Sequence, residues 1–275
     1  MRLLKWIAIL AIVIFLTALT QVGGVLFLLS LPFFRKIKEL VADKWLRRTA
    51  NLFTYVGLYA LSSFIVIPML APAFGRVLMP ENDYLRPASG WYRIFNRTYA
   101  RPELADIMDV AAASIYYRYP GSVVCYMDAG FPFFNNFSMP FHLSHKEGKS
   151  LDVAFFYFDT QAQAPTNDRP SLTGYGIFES PRGGEEMTTE YCKSKGFSNY
   201  DVTKWLAVSF DKTRYRFDPA RTEALIRAIV KDDRVQGVLI EPHLEKRLKL
   251  DKTSKIKNPG CNAVRHDDHF HVSIR

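Results

Sequence analysis

Two long uncharged apolar stretches near the N-terminus constrain this chain more than any other feature of its sequence. They run from Trp6 to Phe34 and from Thr49 to Gly75, which is 29 and 27 residues, and a helix needs about 20 apolar residues to cross a bilayer. We therefore predict a membrane anchor with two transmembrane helices within residues 1–80. Two alternatives stay open: a cleaved signal peptide behind Arg2 and Lys5, or a buried hairpin in the second stretch.

The segment between the two stretches predicts the orientation of the chain. Residues 35–50 carry six basic side chains against Glu39 and Asp43, and short positively charged loops stay in the cytoplasm. With one helix on each side of this loop, the N-terminus and the C-terminal region both face outward, although Arg2 and Lys5 argue the other way. We expect a multi-pass protein of the inner (cytoplasmic) membrane, with its C-terminal domain facing the periplasm or the cell exterior.

Composition narrows the class of partner. The chain is 48% hydrophobic and 14% aromatic, which indicates a large core and excludes a disordered chain. The net charge of +9 lies partly in the basic loop and otherwise suits an anionic envelope surface. No cluster of interleaved basic and aromatic residues predicts nucleic acid as a partner.

Of the three cysteines, Cys192 and Cys261 lie in loop-like sequence and are the expected disulfide pair, whereas Cys125 is expected as a buried thiol.

The remainder of the chain predicts an α+β domain at 101–275, after a linker at 81–100 that contains several helix-breaking residues. Apolar residues at helical spacing follow Pro102, and Asp218-Pro219 has the cap-then-proline pattern of a second helix start. A basic segment from residue 243 to about 250 is also expected to be helical. Short apolar runs predict the strands of a small antiparallel sheet, flanked by these helices, at 122–127, 151–158, 205–210, 235–240 and 269–274. A long polar loop occupies residues 159–203.

Histidines cluster in two short segments. The first contains His142 and His145, and the second contains His266, His269 and His271. Side chains alternate along a strand, so His269 and His271 project from one face of the terminal strand while its apolar residues project from the other. Such a pair of imidazoles is positioned to bind a metal ion or to share a proton. The isolated His243 is expected to be an ordinary hydrogen-bonded residue.

Asp152 is the only charged residue between Leu151 and Phe158. Burying a lone carboxylate is costly unless it is paired or binds a cation. His145 precedes it by seven residues, across a turn, so the two side chains can converge on one point. Two histidines and one carboxylate leave a fourth position open at a catalytic zinc ion. We therefore predict that His145, Asp152 and His271 bind Zn²⁺.

The adjacent pair Asp267 and Asp268 has two interpretations. The carboxylates either orient the imidazoles of the site or form a solvated turn before the terminal strand.

The histidine segments resemble a known family. Residues 142–152, HLSHKEGKSLD, are similar to the HxSHxxGxxxD signature of penicillin-insensitive murein endopeptidases, which belong with the lysostaphin-type and D-Ala-D-Ala metallopeptidases and the hedgehog signalling domain. Residues 266–271, HDDHFH, resemble the family's HxxHxH ending, and residues 128–132, DAGFP, resemble its DxGxP stretch. The resemblance spans roughly residues 120–275 and is confined to these motifs.

The resemblance implies a function and a role for each matching residue. His145, Asp152 and His271 would be the zinc ligands, and His269 would act as the base or as an imidazolium that stabilises the tetrahedral intermediate. His142 and His266 would be supporting catalytic residues beside His269. The implied substrate is the peptide cross-link of peptidoglycan, cut between D-alanine and meso-diaminopimelate. We thus expect a zinc metallopeptidase that acts on peptidoglycan from a membrane tether.

Two departures from the family leave the exact bond open. The murein endopeptidases are soluble periplasmic proteins with several disulfides, whereas this chain has an expected anchor and three cysteines. The loop at 159–203 has no counterpart there. Two alternatives follow: a zinc-containing, non-catalytic binding module of the cell envelope, or a carboxypeptidase or amidase of the same group.

Overall fold

A computed structural model of the chain describes residues 2–137, 139, 143–169, 171–197, 200 and 213–275. His142 and the strand predicted at 205–210 lie outside the described residues. The described part is a mixed α/β structure in which three long N-terminal helices precede a domain built on several sheets.

The α-helices of the described part alternate with short strands after residue 76. They are α1 (Arg2–Thr20), α2 (Gly23–Leu40), α3 (Lys44–Leu61), α4 (Ile67–Leu70), α5 (Gly90–Ile94), α6 (Pro102–Arg118), α7 (Thr188–Ser194), α8 (Pro219–Val230) and α9 (Pro242–Arg247). A π-helical turn, Ser62–Val66, joins α3 to α4, and a 3-10 turn, Ala71–Phe74, follows α4. The helix starts predicted at Pro102 and Asp218-Pro219 are confirmed, and Asp218 accepts a capping hydrogen bond from the Arg221 backbone N–H.

The first apolar stretch is not one helix. Gln21 has a positive φ of 67°, and at this point the chain reverses from α1 into α2. Within the described residues, two helices are long and apolar enough to cross a membrane, Leu3–Thr20 and Lys44–Phe74. Helix α2 falls short of that criterion because its C-terminal part carries Arg35 and further charged residues.

Close packing holds α1 against α2. A Cβ atom at Gly24 would lie 2.4 Å from the Val13 carbonyl oxygen and 2.1 Å from Thr17 Oγ1. Only glycine permits so near an approach of two helix backbones. Helix α3 packs on the other side of α2, where the Tyr55 ring meets the Phe27 ring edge-on at 6.0 Å.

The three helices alternate in direction, and two of their ends contact the C-terminal domain. Gln21, at the end of α1, accepts a hydrogen bond from the Phe133 backbone N–H at 3.0 Å. Ser63, just after α3, accepts one from Asn96 Nδ2 at 3.3 Å. The start of α1 and the connection from α2 to α3 therefore lie at the far end. The N-terminus therefore lies at the same end of the three helices as the basic segment 35–50.

The last of the three helices leads directly into the domain. The helical path through α3 ends at Phe74, and strand β1 (Val77–Leu78) begins after the buried Arg76. Residues 81–100, which the sequence predicts as a linker, form a strand, a short helix and a further strand with Tyr92 and Tyr99 buried. This segment is ordered because its apolar side chains pack into the domain core.

The site lies on a six-stranded sheet. The strands of the domain that follow β1 are β2 (Leu85–Pro87), β3 (Tyr99–Ala100), β4 (Val124–Tyr126), β5 (Ser150–Ala154), β6 (Tyr157–Asp159), β7 (Ala164–Thr166), β8 (Tyr215–Phe217), β9 (Val235–Leu239), β10 (Ile256–Lys257) and β11 (His269–Ile274). The main sheet has the order β10-β9-β11-β5-β4-β2. Its central pairs are antiparallel, as predicted, whereas both edge pairs are parallel.

The single strand predicted at 151–158 is two strands in different sheets. Strand β5 is central in the main sheet, and β6 pairs with β7 and β8 in a second sheet. Between them, the Phe156 N–H donates to Thr222 Oγ1 and the Phe156 carbonyl accepts from the Asp218 N–H. These backbone groups are satisfied by the start of α8, so the strand ends there. The predicted long loop contains β7 and α7.

The disulfide predicted between Cys192 and Cys261 is confirmed. It joins α7, within the long loop, to the segment that leads into β11. Cys125 lies on β4 as predicted and is partly buried.

We expect Gly24→Val to destabilise the helical part of the protein by about 1–3 kcal/mol, because the new side chain has no space between α1 and α2. Gly57→Val is the matched control: it places the same residue in a helix where a Cβ atom would meet nothing within 4 Å. Thermal unfolding of the two detergent-solubilised variants measures the difference. Equal melting temperatures would contradict the close packing of α1 and α2.

Candidate metal centre

The pairing of two central strands brings Asp152 and His271 together. In the antiparallel ladder between β5 and β11 these two residues are directly opposite each other, so their side chains are neighbours on one face of the sheet. His271 Nδ1 lies 2.7 Å from Asp152 Oδ1. The alternation predicted for the terminal strand also holds, since Phe270 and Val272 point into the apolar core on the other face.

His145 reaches the same carboxylate from a 3-10 turn, Leu143–Glu147, that precedes β5. Its Nδ1–H donates to the Ala129 carbonyl at 2.6 Å, which leaves Nε2 directed at the site. Nε2 lies 3.3 Å from Asp152 Oδ1. One ligand atom from each of His145, Asp152 and His271 lies within 4.8 Å of the others, so this buried group can hold a metal ion.

The pKa values of His145 and His271 reflect their burial beside a carboxylate. Burial lowers the pKa of His145, but the Asp152 and Asp128 carboxylates outweigh burial and raise it overall. The pKa of His271 is lowered because burial exceeds the opposing effect of Asp152. In the metal-free protein these ring nitrogens face one carboxylate oxygen as N–H donors, and a bound cation would replace their protons.

His269 is held by a different carboxylate, that of Asp268. Its Nδ1–H donates to Asp268 Oδ1 at 2.5 Å, and its Nε2 lies 3.9 Å from Asp152 Oδ1. Burial lowers the pKa of His269, but Asp268 more than compensates and raises it to about 9. The imidazole therefore presents Nε2 to the centre while Asp268 stabilises its positive charge.

His266 lies beside His269 with the opposite electrostatic character. The two ring centroids are 4.7 Å apart. The His266 Nδ1–H donates to the Val264 carbonyl at 2.7 Å, which fixes the ring without a carboxylate. Burial and the neighbouring His269 and His271 imidazoles hold the pKa of His266 well below its usual value. His266 is therefore neutral at pH 7.

Asp267 and Asp268 do not form a solvated turn, because each is only 1% exposed. Asp268 orients His269, as the first interpretation proposed. Asp267 instead pairs with Arg265, whose guanidinium nitrogens lie 2.7 and 2.5 Å from its two carboxylate oxygens. His243 is buried and donates from Nε2 to the Glu179 carbonyl at 2.8 Å, in keeping with the ordinary role expected of it.

Sequence reasoning did not single out Tyr175, which contacts the centre from the long loop. Its hydroxyl lies 2.6 Å from Asp152 Oδ2 and 3.1 Å from Asp128 Oδ2. Asp128 also pairs with Arg97 Nε at 2.9 Å. The available signal in the sequence was the tripeptide Gly174-Tyr175-Gly176, in which a large side chain stands between two residues that permit unusual backbone angles.

A scan against models of protein families and a search of curated proteins find no match to this chain. The functional interpretation therefore rests on the geometry of the site and on its motifs. The structure brings five of the six predicted site residues to one centre, and the sixth, His142, lies outside the described part of the chain.

We expect Asp268→Asn to lower the pKa of His269 from about 9 in the metal-free protein, because the amide removes the negative charge that stabilises the imidazolium. Titration of the histidine ring signals by NMR measures the change. Glu147→Gln, which removes an exposed carboxylate on the 3-10 turn, is the control and leaves the His269 pKa in place. An unchanged His269 pKa in Asp268→Asn would show that the carboxylate does not govern it.

Proposed function

We propose that this protein is a membrane-anchored, zinc-dependent peptidase that hydrolyses peptide cross-links of peptidoglycan. The observation that carries the proposal is the convergence of His145, Asp152 and His271 on one point, with His269 and His266 beside them. A structural zinc site is normally closed by four protein ligands. Three ligands next to two ionisable imidazoles are typical of a hydrolytic site.

The donor set fits zinc. Two imidazole nitrogens and one carboxylate oxygen are ligands that zinc prefers. The hydrogen bond from His145 Nδ1 to the Ala129 carbonyl is the kind of outer contact that orients a metal-binding imidazole. When bound, the metal would supply a Lewis acid that polarises a scissile carbonyl and makes water more acidic.

The two other imidazoles divide the proton chemistry between them. His269 directs Nε2 at the centre, and the Asp268 carboxylate stabilises positive charge on its ring. With a pKa of about 9, the ring is suited to donate a hydrogen bond to negative charge that develops on the carbonyl oxygen. In its deprotonated form it would accept a proton from water. His266, anchored by the Val264 carbonyl, stays neutral and offers a second acceptor. Neighbouring groups with pKa values pushed apart are typical of acid–base sites.

The substrate class comes from the motif resemblance. The segments 142–152 and 266–271 match the murein endopeptidase signatures in order and spacing, and that family cuts between D-alanine and meso-diaminopimelate. A carboxypeptidase or amidase of the same group would use the same centre on a different bond. The products distinguish them, because only the endopeptidase converts cross-linked dimers into monomers.

We expect the zinc-loaded full-length protein, in detergent, to convert cross-linked muropeptides into monomers that mass spectrometry identifies. His269→Ala lowers the rate by at least about 100-fold, since it removes the proton-transferring group, and leaves zinc bound. Asp152→Ala loses both zinc and activity, and a chelator does the same to the wild type. Tyr117→Ala, at a side chain that is 82% exposed, is the neutral control. Intact cross-links in the presence of bound zinc would overturn the proposal.

The burial of the site supports a second candidate, a zinc-containing binding module without turnover. His145, Asp152, His269 and His271 are each at most 3% exposed, so a substrate must displace part of the covering chain to reach them. Zinc binding with no turnover of muropeptides, D-alanyl dipeptides or amides would favour the binding module.

We further propose that the basic end of the helices is cytoplasmic and that the domain lies on the opposite side of an inner membrane. The three-helix arrangement puts the N-terminus and segment 35–50, both basic, at the end away from the domain, which agrees with the positive-inside rule. The disulfide between Cys192 and Cys261 supports an oxidising compartment for the domain.

Labelling of introduced cysteines in a Cys125→Ser background tests this orientation. We expect a membrane-impermeant maleimide to label Tyr117→Cys in intact spheroplasts and to label Lys5→Cys and Lys38→Cys only after lysis. Lys5 is the informative position, because an arrangement with two spans places it outside. Labelling of Lys5→Cys in intact spheroplasts would contradict the three-helix topology.

A further inference from the structure

Residues 171–179, which we call the strap, cross the candidate metal centre. They contact Asp152, a predicted metal ligand, and Asp268, the carboxylate that holds His269. The strap belongs to the long loop that the motif resemblance does not cover. Its central tripeptide, Gly174-Tyr175-Gly176, has positive φ angles of 95° at Gly174 and 105° at Gly176. These angles favour glycine, and together they direct the tyrosine side chain towards the centre.

Tyr175 contacts Asp152, the one predicted ligand that can bind a metal ion through two atoms at once. Asp152 Oδ1 faces His145 and His271, whereas Oδ2 lies 2.6 Å from the Tyr175 hydroxyl. The hydroxyl hydrogen bond occupies Oδ2 and so separates the carboxylate into a metal-facing oxygen and a protein-facing oxygen. Asp128 Oδ2, 3.1 Å from the same hydroxyl, is the more distant acceptor of its single proton.

The next residue of the strap, Gly176, contacts the carboxylate that holds His269. The Gly176 N–H donates to Asp268 Oδ2 at 2.7 Å, while Asp268 Oδ1 accepts from His269. Adjacent residues of the strap thus bind the outer oxygens of both functional carboxylates, Asp152 and Asp268.

The strap is itself fixed at both ends, so it can position what it touches. The Tyr92 hydroxyl donates to the Thr173 carbonyl at 2.6 Å. At the other end the Glu179 N–H donates to the Asp267 carbonyl at 2.6 Å, and His243 donates to the Glu179 carbonyl. The buried His243, which the proposed chemistry does not use, is explained as an anchor of the strap.

We propose that Tyr175 is a positioning residue that keeps Asp152 a one-oxygen metal ligand, and that the strap thereby holds a coordination position open. This inference rests on the proposed function only in requiring that the site binds a metal ion. A carboxylate with both oxygens free binds a metal through one or both of them. With Oδ2 bound to Tyr175, the position that a second carboxylate oxygen would take is left for water or substrate.

Tyr175→Phe in the full-length protein tests the inference by metal binding, with no need for turnover. We expect zinc affinity, measured by competition with a chromophoric chelator, to change by about 10–100-fold, as for other partners of metal ligands. With cobalt in place of zinc, we expect weaker visible absorption bands, because a second carboxylate oxygen raises the coordination number. A purely structural role would alter affinity and leave the cobalt spectrum as in the wild type.

Two further tyrosines supply the controls. Tyr191→Phe, at an exposed position on α7 in the same long loop, leaves both affinity and spectrum unchanged. Tyr92→Phe removes the Thr173 anchor without touching a ligand, and we expect a smaller spectral change in the same direction. If Tyr175→Phe does not fold, an unaltered spectrum in Tyr92→Phe overturns the inference.

The outcomes separate this inference from the proposed function. A wild-type protein that binds neither zinc nor cobalt overturns both the metal centre and the role of Tyr175. A wild type that binds metal, with Tyr175→Phe unchanged in its cobalt spectrum, overturns the positioning role alone. Intact cross-links together with the expected spectral change overturn the peptidase and leave the positioning role in place.

Discussion

The rest of the domain is arranged around one buried carboxylate. Asp152 is 2% exposed, and a buried ion that lacks compensation costs several kcal/mol. Its two oxygens are compensated separately, by His145 and His271 at Oδ1 and by Tyr175 at Oδ2. This requirement also fixes the sheet: a one-residue slip between β5 and β11 would turn Asp152 and His271 to opposite faces. The register of the central strands and the ligand geometry are therefore the same constraint.

A second carboxylate repeats the pattern with a different result. Asp268 is also buried and also lies next to an imidazole, but it contacts His269 on the Nδ1 side, away from the centre. Asp152 thus provides charge at the centre itself, and Asp268 provides it one residue further out. The difference separates a candidate metal ligand from a carboxylate that raises the pKa of a neighbouring imidazole. His266, which is held only by a carbonyl, shows how an imidazole in the same dry environment behaves without such support.

The sequence predicted those features that leave a local pattern. Alternation along 269–274, the isolated charge of Asp152 and the proline after Asp218 each follow from short-range rules, and the structure has the corresponding strand, buried carboxylate and helix start. Hydropathy could not show the reversal at Gln21, because it records apolar length and not a backbone angle. Periodicity could not show where β5 ends, since Phe155 and Phe156 are both apolar. The contact between Tyr175 and Asp152 leaves no local pattern, because it joins residues 23 apart and depends on the path of the whole loop.

The direct passage from α3 into β1 has a consequence for how the protein works. A domain on a flexible linker samples a volume that grows with the length of the linker. Here the helical path to Phe74 leads to the buried Arg76 with only Gly75 between them, so the helix continues into the domain without a linker. With that helix crossing the membrane as proposed, the centre operates at one height above the bilayer. A substrate would then have to reach the centre at this distance from the membrane surface.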